Sequence, residues 1–103
     1  MNQYMTDEQF LKLVAAEVER ARTKFPGCNA TNAALVEEVG EVSKALMYEP
    51  WNCVVNEAVQ VAAMCVRLAT EGDATMADFR WEKVRAKGQR YTDHEFVMPQ
   101  PER

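Results

Sequence analysis

Glu37, Glu38 and Glu41 stand in the run Leu35-Val36-Glu37-Glu38-Val39-Gly40-Glu41-Val42. On a helix, which turns about 100° per residue, Glu41 falls between Glu37 and Glu38, and the three carboxylates share an arc of about 100°. Ala34 and Ala45 occupy the same arc, one turn above and one below. Leu35, Val39, Val42 and Leu46 form a separate stripe beside it. Three anions in a small-walled patch repel one another unless a cation sits among them. Oxygen ligands of this kind ask for a hard divalent metal.

Glu57 supplies a second half to this arrangement. It shares a stripe with Val61, Met64 and Leu68, at steps of four, seven and eleven residues. A carboxylate in an apolar stripe is costly unless something neutralises it. Gln60, three residues on, lies on the adjacent face and offers another oxygen. The connection from Tyr48 to Trp51 is short, so the helices on either side are expected to be antiparallel neighbours. Glu57 then meets Glu38 and Glu41 across that pair, in a cage suited to Mg²⁺ or Mn²⁺. The single histidine, His94, lies far from the cluster, which argues against a zinc site of His/Cys type. The Glu-x-x-His motifs of a ferritin-like di-iron site are missing as well.

The elements that must position these residues are four helices, at about 6–25, 31–48, 51–71 and 75–87. An arm over 89–103 follows, and no strand is expected. Thr6 with Gln9 makes a capping box for the first helix; Phe10, Val14, Val18, Ala21 and Phe25 form its apolar stripe, and Pro26-Gly27 ends it. Thr31 or Asn32 is expected to cap the second helix, and Pro50 separates it from the third, which stops at Gly72. Asp73 or Thr75 opens the fourth. The third helix is apolar nearly all round, a pattern that requires burial on most sides. Four short helices can hardly cover it, so a second copy is expected to do so, in a homodimer or homotetramer. The expected fold is all-α and four-helix bundle-like, completed by homo-oligomerisation.

The chain has 103 residues, 48% apolar and 27% charged, the balance of one folded domain. No apolar run is read as long enough to cross a bilayer, and the N-terminus lacks a signal-peptide pattern. Cys28, Cys53 and Cys65 are widely spaced and odd in number, so reduced thiols in a cytoplasmic protein are expected, with Cys53 and Cys65 acting as small hydrophobes. A net charge of −4 argues against a nucleic acid polymer as partner, and no membrane partner is expected. A single nucleotide remains open, because a metal can carry the countercharge.

Glu37-Glu38-Val39-Gly40-Glu41, followed after fifteen residues by Glu57, resembles the E-E-x-x-E…E-x-x-D signature of the MazG-like nucleoside triphosphate pyrophosphohydrolases. The resemblance spans roughly residues 10–72 and includes Lys24-Phe25-Pro26 and the segment Glu57-Ala58-Val59-Gln60-Val61-Ala62-Ala63-Met64. It implies a MazG-type fold and Mg²⁺-dependent hydrolysis of a (deoxy)nucleoside triphosphate to a monophosphate and pyrophosphate, as house-cleaning or in phage nucleotide metabolism. Glu38, Glu41 and Glu57 are then metal ligands, and Glu37 and Glu38 the catalytic carboxylates, with Glu37 as base or ligand to a second metal. Gln60 stands where the family has aspartate. Either its amide oxygen serves the metal or a coordinated water, or the site is weakened. Phe25 and Asn29 are nucleotide-contact candidates before the acidic helix. Lys83, Lys87 and Arg90 could hold the triphosphate, although a basic helix end is common without function. Glutamates on helices are mostly solvated, Met47 and Met64 read as core, and Trp81 as a packing anchor. The competing function is a non-catalytic helical assembly or regulatory module that keeps the acidic face. A third reading is a phosphohydrolase acting on a non-nucleotide pyrophosphate.

Overall fold

The computed structural model describes residues 4–77 and Phe79. It is all-helical among the described residues, with α1 at Asp7–Lys24, α2 at Thr31–Tyr48 and α3 at Trp51–Glu71. Residues 74–77 and Phe79 are also helical. The remainder of the expected fourth helix, Trp81 and the arm lie outside the described residues.

Local chemistry accounts for the ends of α1. The Thr6 hydroxyl accepts from the Gln9 N–H at 3.2 Å, and the Gln9 side chain accepts from the Thr6 N–H at 2.9 Å. These two bonds satisfy donors that the first turn leaves orphaned. The helix stops at Phe25, ahead of Pro26 and of Gly27, whose φ of 95° suits a residue without Cβ. The start of α2 differs from expectation. Neither Thr31 nor Asn32 caps it; the cap position is Ala30, in the left-handed region at φ 58°, with no side-chain bond of its own. The Asn32 N–H instead donates to the Asp73 carboxylate at 2.7 Å. The same side chain accepts from the Met76 N–H at 3.3 Å, so Asp73 also opens the fourth helical segment.

The three helices form an up-down-up layer with α3 in the middle. Tyr4 meets Trp51 edge-on at one end, and Arg22 bonds Glu71 at the other, so α1 and α3 run in the same direction. Thr31 at the start of α2 bonds Gly72 just past α3, and two residues join α2 to α3, so this pair is antiparallel. Val14 and Val18 of α1 pack on Val59 and Ala63 of α3, with Phe10, Val55 and Ala62 around them.

Burial corrects the expectations for Met47 and Cys65 and leaves α3 partly uncovered within one chain. Within one chain only Val54, Val59, Ala63 and Arg67 of α3 are buried, so this helix is not enclosed on most sides. On α2 the fully buried side chain is Ala45, on the glutamate arc. Val39 and Leu46 of the neighbouring stripe are exposed, as are Val36 and Met47, the latter at 70% rather than packed in a core. Cys65 is exposed too, so it is no buried hydrophobe. By length and composition α3 is apolar enough to span a bilayer, which corrects the reading that no run qualifies. It nevertheless carries Glu57, Gln60 and Arg67 and packs between two other helices.

Candidate functional site

α2 turns its acidic arc toward α3. Ala45 carries only a methyl group and is fully buried there, which lets the two backbones approach and brings the arc against Glu57. Glu38, half-buried, hydrogen-bonds the Glu57 side chain. Burial, then the Glu57 bond, then the negative charges of Glu57, Glu37 and Glu41 push the Glu38 carboxyl from 4.5 up to about 7. Two carboxylates in contact cannot both ionise cheaply, which is why Glu38 holds its proton more tightly than an isolated glutamate. Glu41 is half-buried and Glu37 is exposed; both act on Glu38 through their charge. Among the described residues, no three His, Cys, Asp or Glu side chains are gathered in a geometry able to hold a metal ion.

Gln60 reaches this region from α3 and is bound by a residue the sequence did not single out. Glu17 of α1 takes two bonds from Arg20, at 2.7 and 2.6 Å, and a third from Gln60. The Arg20 guanidinium, helped by Gln60 and opposed by burial, holds the Glu17 carboxyl below its usual value. A carboxylate only accepts, so the Gln60 amide N–H is the donor and its oxygen remains for another partner.

The loop between α1 and α2 is fixed by Arg67. This side chain is only 6% exposed. Its Nη2 donates to the carbonyls of Phe25 at 3.0 Å and Gly27 at 2.8 Å, and Nε and Nη2 both reach Glu71. Arg67 and then Arg22 hold the Glu71 carboxyl down at about 2. The Thr31 hydroxyl lies 3.0 Å from both the Cys28 and Gly72 carbonyls, and the Ala30 N–H donates to Thr75 at 2.9 Å. Carbonyls on a non-helical loop have no partner within a helix, and these bonds supply one. The effect is to set Phe25 and Asn29 on the rim of a cavity of about 330 Å³ whose wall includes Glu38 and Gln60.

The structure therefore brings Glu38 and Glu57 into contact, with Glu41 and Glu37 close enough to act on Glu38. Phe25, Asn29 and Gln60 share a cavity with Glu38. Lys83, Lys87 and Arg90 lie outside the described residues. Sequence reasoning missed Glu17, Arg20 and Arg67. For Arg67 a signal existed: it is a lone cation seven residues after Gln60, hence on the same face of a mainly apolar helix. Nothing local marks Glu17 and Arg20, an ordinary i,i+3 pair on a charged helix. A larger groove of about 580 Å³ between Tyr4, Phe10, Leu11 and Trp51 has Asp7 as its one charged lining residue and offers no comparable chemistry. Comparison with known protein families, with curated proteins and with solved structures returned no match.

Proposed function

We infer that this chain is a homo-oligomeric MazG-type enzyme that hydrolyses (deoxy)nucleoside triphosphates to a monophosphate and pyrophosphate with Mg²⁺. The observation that carries this reading is the Glu38–Glu57 carboxyl pair, facing across α2 and α3 beside a cavity of nucleotide scale. A half-buried carboxyl pair in which Glu38 is pushed up to about 7, with two more carboxylates adding negative potential, is a donor set that fits a hard divalent cation in kind. Glu38, Glu41, Glu57 and the Gln60 oxygen are the groups to hold it. When bound, Mg²⁺ supplies neutralisation of charge on the phosphate oxygens and a lowered pKa for water.

The chain's own residues do the rest. Glu37, exposed at the end of the acidic arc, accepts the proton of the attacking water. Water oxygen bonds to the α-phosphorus, and the bridging oxygen to the β-phosphorus leaves with pyrophosphate. The Glu17–Gln60 bond orients the Gln60 amide so that its oxygen, not its N–H, is available to the site. Assembly with a second copy is part of this reading, because α2 turns Val36, Val39, Leu46 and Met47 to the outside.

The test is pyrophosphate release from a panel of dNTPs with and without Mg²⁺. Turnover is expected only with the metal, and Glu38→Gln or Glu41→Gln should abolish it while far-ultraviolet dichroism stays that of a helical protein. Full activity in either variant removes the site assignment. Inactivity on every nucleotide, with no stabilisation by Mg²⁺, favours a helical assembly module that keeps the acidic face.

A further inference from the structure

The guanidinium of Arg67 has five N–H donors in a fixed plane. Three of them are spent: Nε on Glu71, and the two of Nη2 on the Phe25 and Gly27 carbonyls and on Glu71. Nη1, with two donors, has no partner among the described residues. Among the described residues no sealed polar side-chain atom lacks a partner, so Nη1 still has access to open space. Arg67 is 6% exposed, and the space it borders is the cavity of about 330 Å³ beside Glu38. This is a cation held rigid on one edge and left with unused donors on the other. Such a group discriminates by chemistry: it binds an acceptor and rejects a second donor, which would leave both unpaired.

We propose that this cavity takes the base of the nucleotide and that Arg67 donates from Nη1 to a ring carbonyl oxygen, selecting carbonyl-bearing bases over adenine. The inference rests on the nucleotide reading above and names the class of base that the site prefers. A substrate whose phosphates lie at the Glu38–Glu57 pair has its other end directed into the space that Glu38 walls. The volume is at the lower end of small-molecule sites, sufficient for a base and incompatible with a macromolecular ligand. Adenine presents an amino group where hypoxanthine, a purine of the same size, presents a carbonyl. The two differ in polarity at that substituent and at the neighbouring N1, which carries a hydrogen in hypoxanthine and none in adenine; a donor aimed at the substituent meets an acceptor only in hypoxanthine.

The decisive comparison is kcat/KM for dITP against dATP with the wild-type protein and Mg²⁺. A preference of about 10- to 100-fold for dITP is expected, the scale of one buried donor left unsatisfied. Equal use of the two overturns the proposal. Arg67→Lys keeps a cation and removes Nη1, and should bring the ratio close to one; a ratio unchanged in a variant that keeps its helical dichroism also overturns it. Because Arg67 holds the loop, that variant could fail to fold, and a binding measurement on the wild type stands beside it. Deoxyinosine and deoxyadenosine, which lack phosphates, are titrated without metal while amide shifts of the loop over 25–30 are followed. Stronger shifts with deoxyinosine support the base site even if no triphosphate is hydrolysed, in which case only the hydrolase reading falls. No shift with either nucleoside overturns the base site even if hydrolysis is observed.

Discussion

Folded, the Glu38 carboxyl keeps its proton up to about pH 7, whereas an unfolded glutamate releases it near 4.5. Between those values the folded chain binds the extra proton at this position. Stability therefore falls as pH rises from 4.5 toward 7 and changes little more above that. Glu38→Gln keeps the size of the side chain and removes the titration. In urea unfolding, the midpoint of the variant relative to wild type should become more favourable from pH 5 to about pH 7 and level off by pH 8. Mg²⁺ at pH 8 should raise the wild-type midpoint and leave the variant's almost unmoved. A constant offset across that range would mean that Glu38 does not titrate in it. This proton was not legible in the sequence. The helical arc of Glu37, Glu38 and Glu41 was, because it depends only on spacing. Whether two carboxylates touch depends on how closely α2 and α3 approach, and that is set by Ala45 in the interface.

The helices show where local reading suffices and where it stops. The Thr6–Gln9 box, the Pro26-Gly27 stop and the Gly72 terminus are fixed by neighbours within a few residues, so sequence displays them. The cap of α2 is not of this kind. Its Asn32 N–H is satisfied by Asp73, forty-one residues away, and a search for a Ser, Thr or Asn beside the helix start finds the wrong residue. One carboxylate thus caps the start of α2 and opens the next helical segment through Met76. Capping side chains contribute about 0.5–2 kcal/mol. Since two helix starts share this one, Asp73→Ala should cost about 1–2 kcal/mol in urea unfolding. Asp73→Asn, which keeps an acceptor, should recover most of the loss. A loss below about 0.5 kcal/mol would mean that the bond to Asn32 is not maintained in solution.

At the scale of the molecule, α2 is inside out for a single chain. Its small and acidic residues face α3, while Val36, Val39, Leu46 and Met47 face outward. An ordinary surface helix does the reverse, and a row of exposed apolar side chains is where a partner surface would dock. Sequence reasoning reached the need for a second copy from α3, which is apolar all round, and left open which face of α2 lies inside. The choice between two adjacent faces is decided by which one α3 occupies, and the acidic arc wins that place because Glu57 and the small alanines fit against it. If a second copy covers the outward face, the protein in solution has a mass that is a multiple of 11.7 kDa. Light scattering after size exclusion should show this at micromolar concentration. Val36→Glu with Met47→Glu puts two charges into the contact without touching the acidic arc, and should bring the mass down to 11.7 kDa. Ala45 brings Glu38 to Glu57 within one chain, so turnover by the single chain then tells whether the site also needs the second copy. A wild-type mass of one chain, with full activity on dNTPs, would separate the catalytic reading from the assembly reading and leave the apolar face of α2 unexplained.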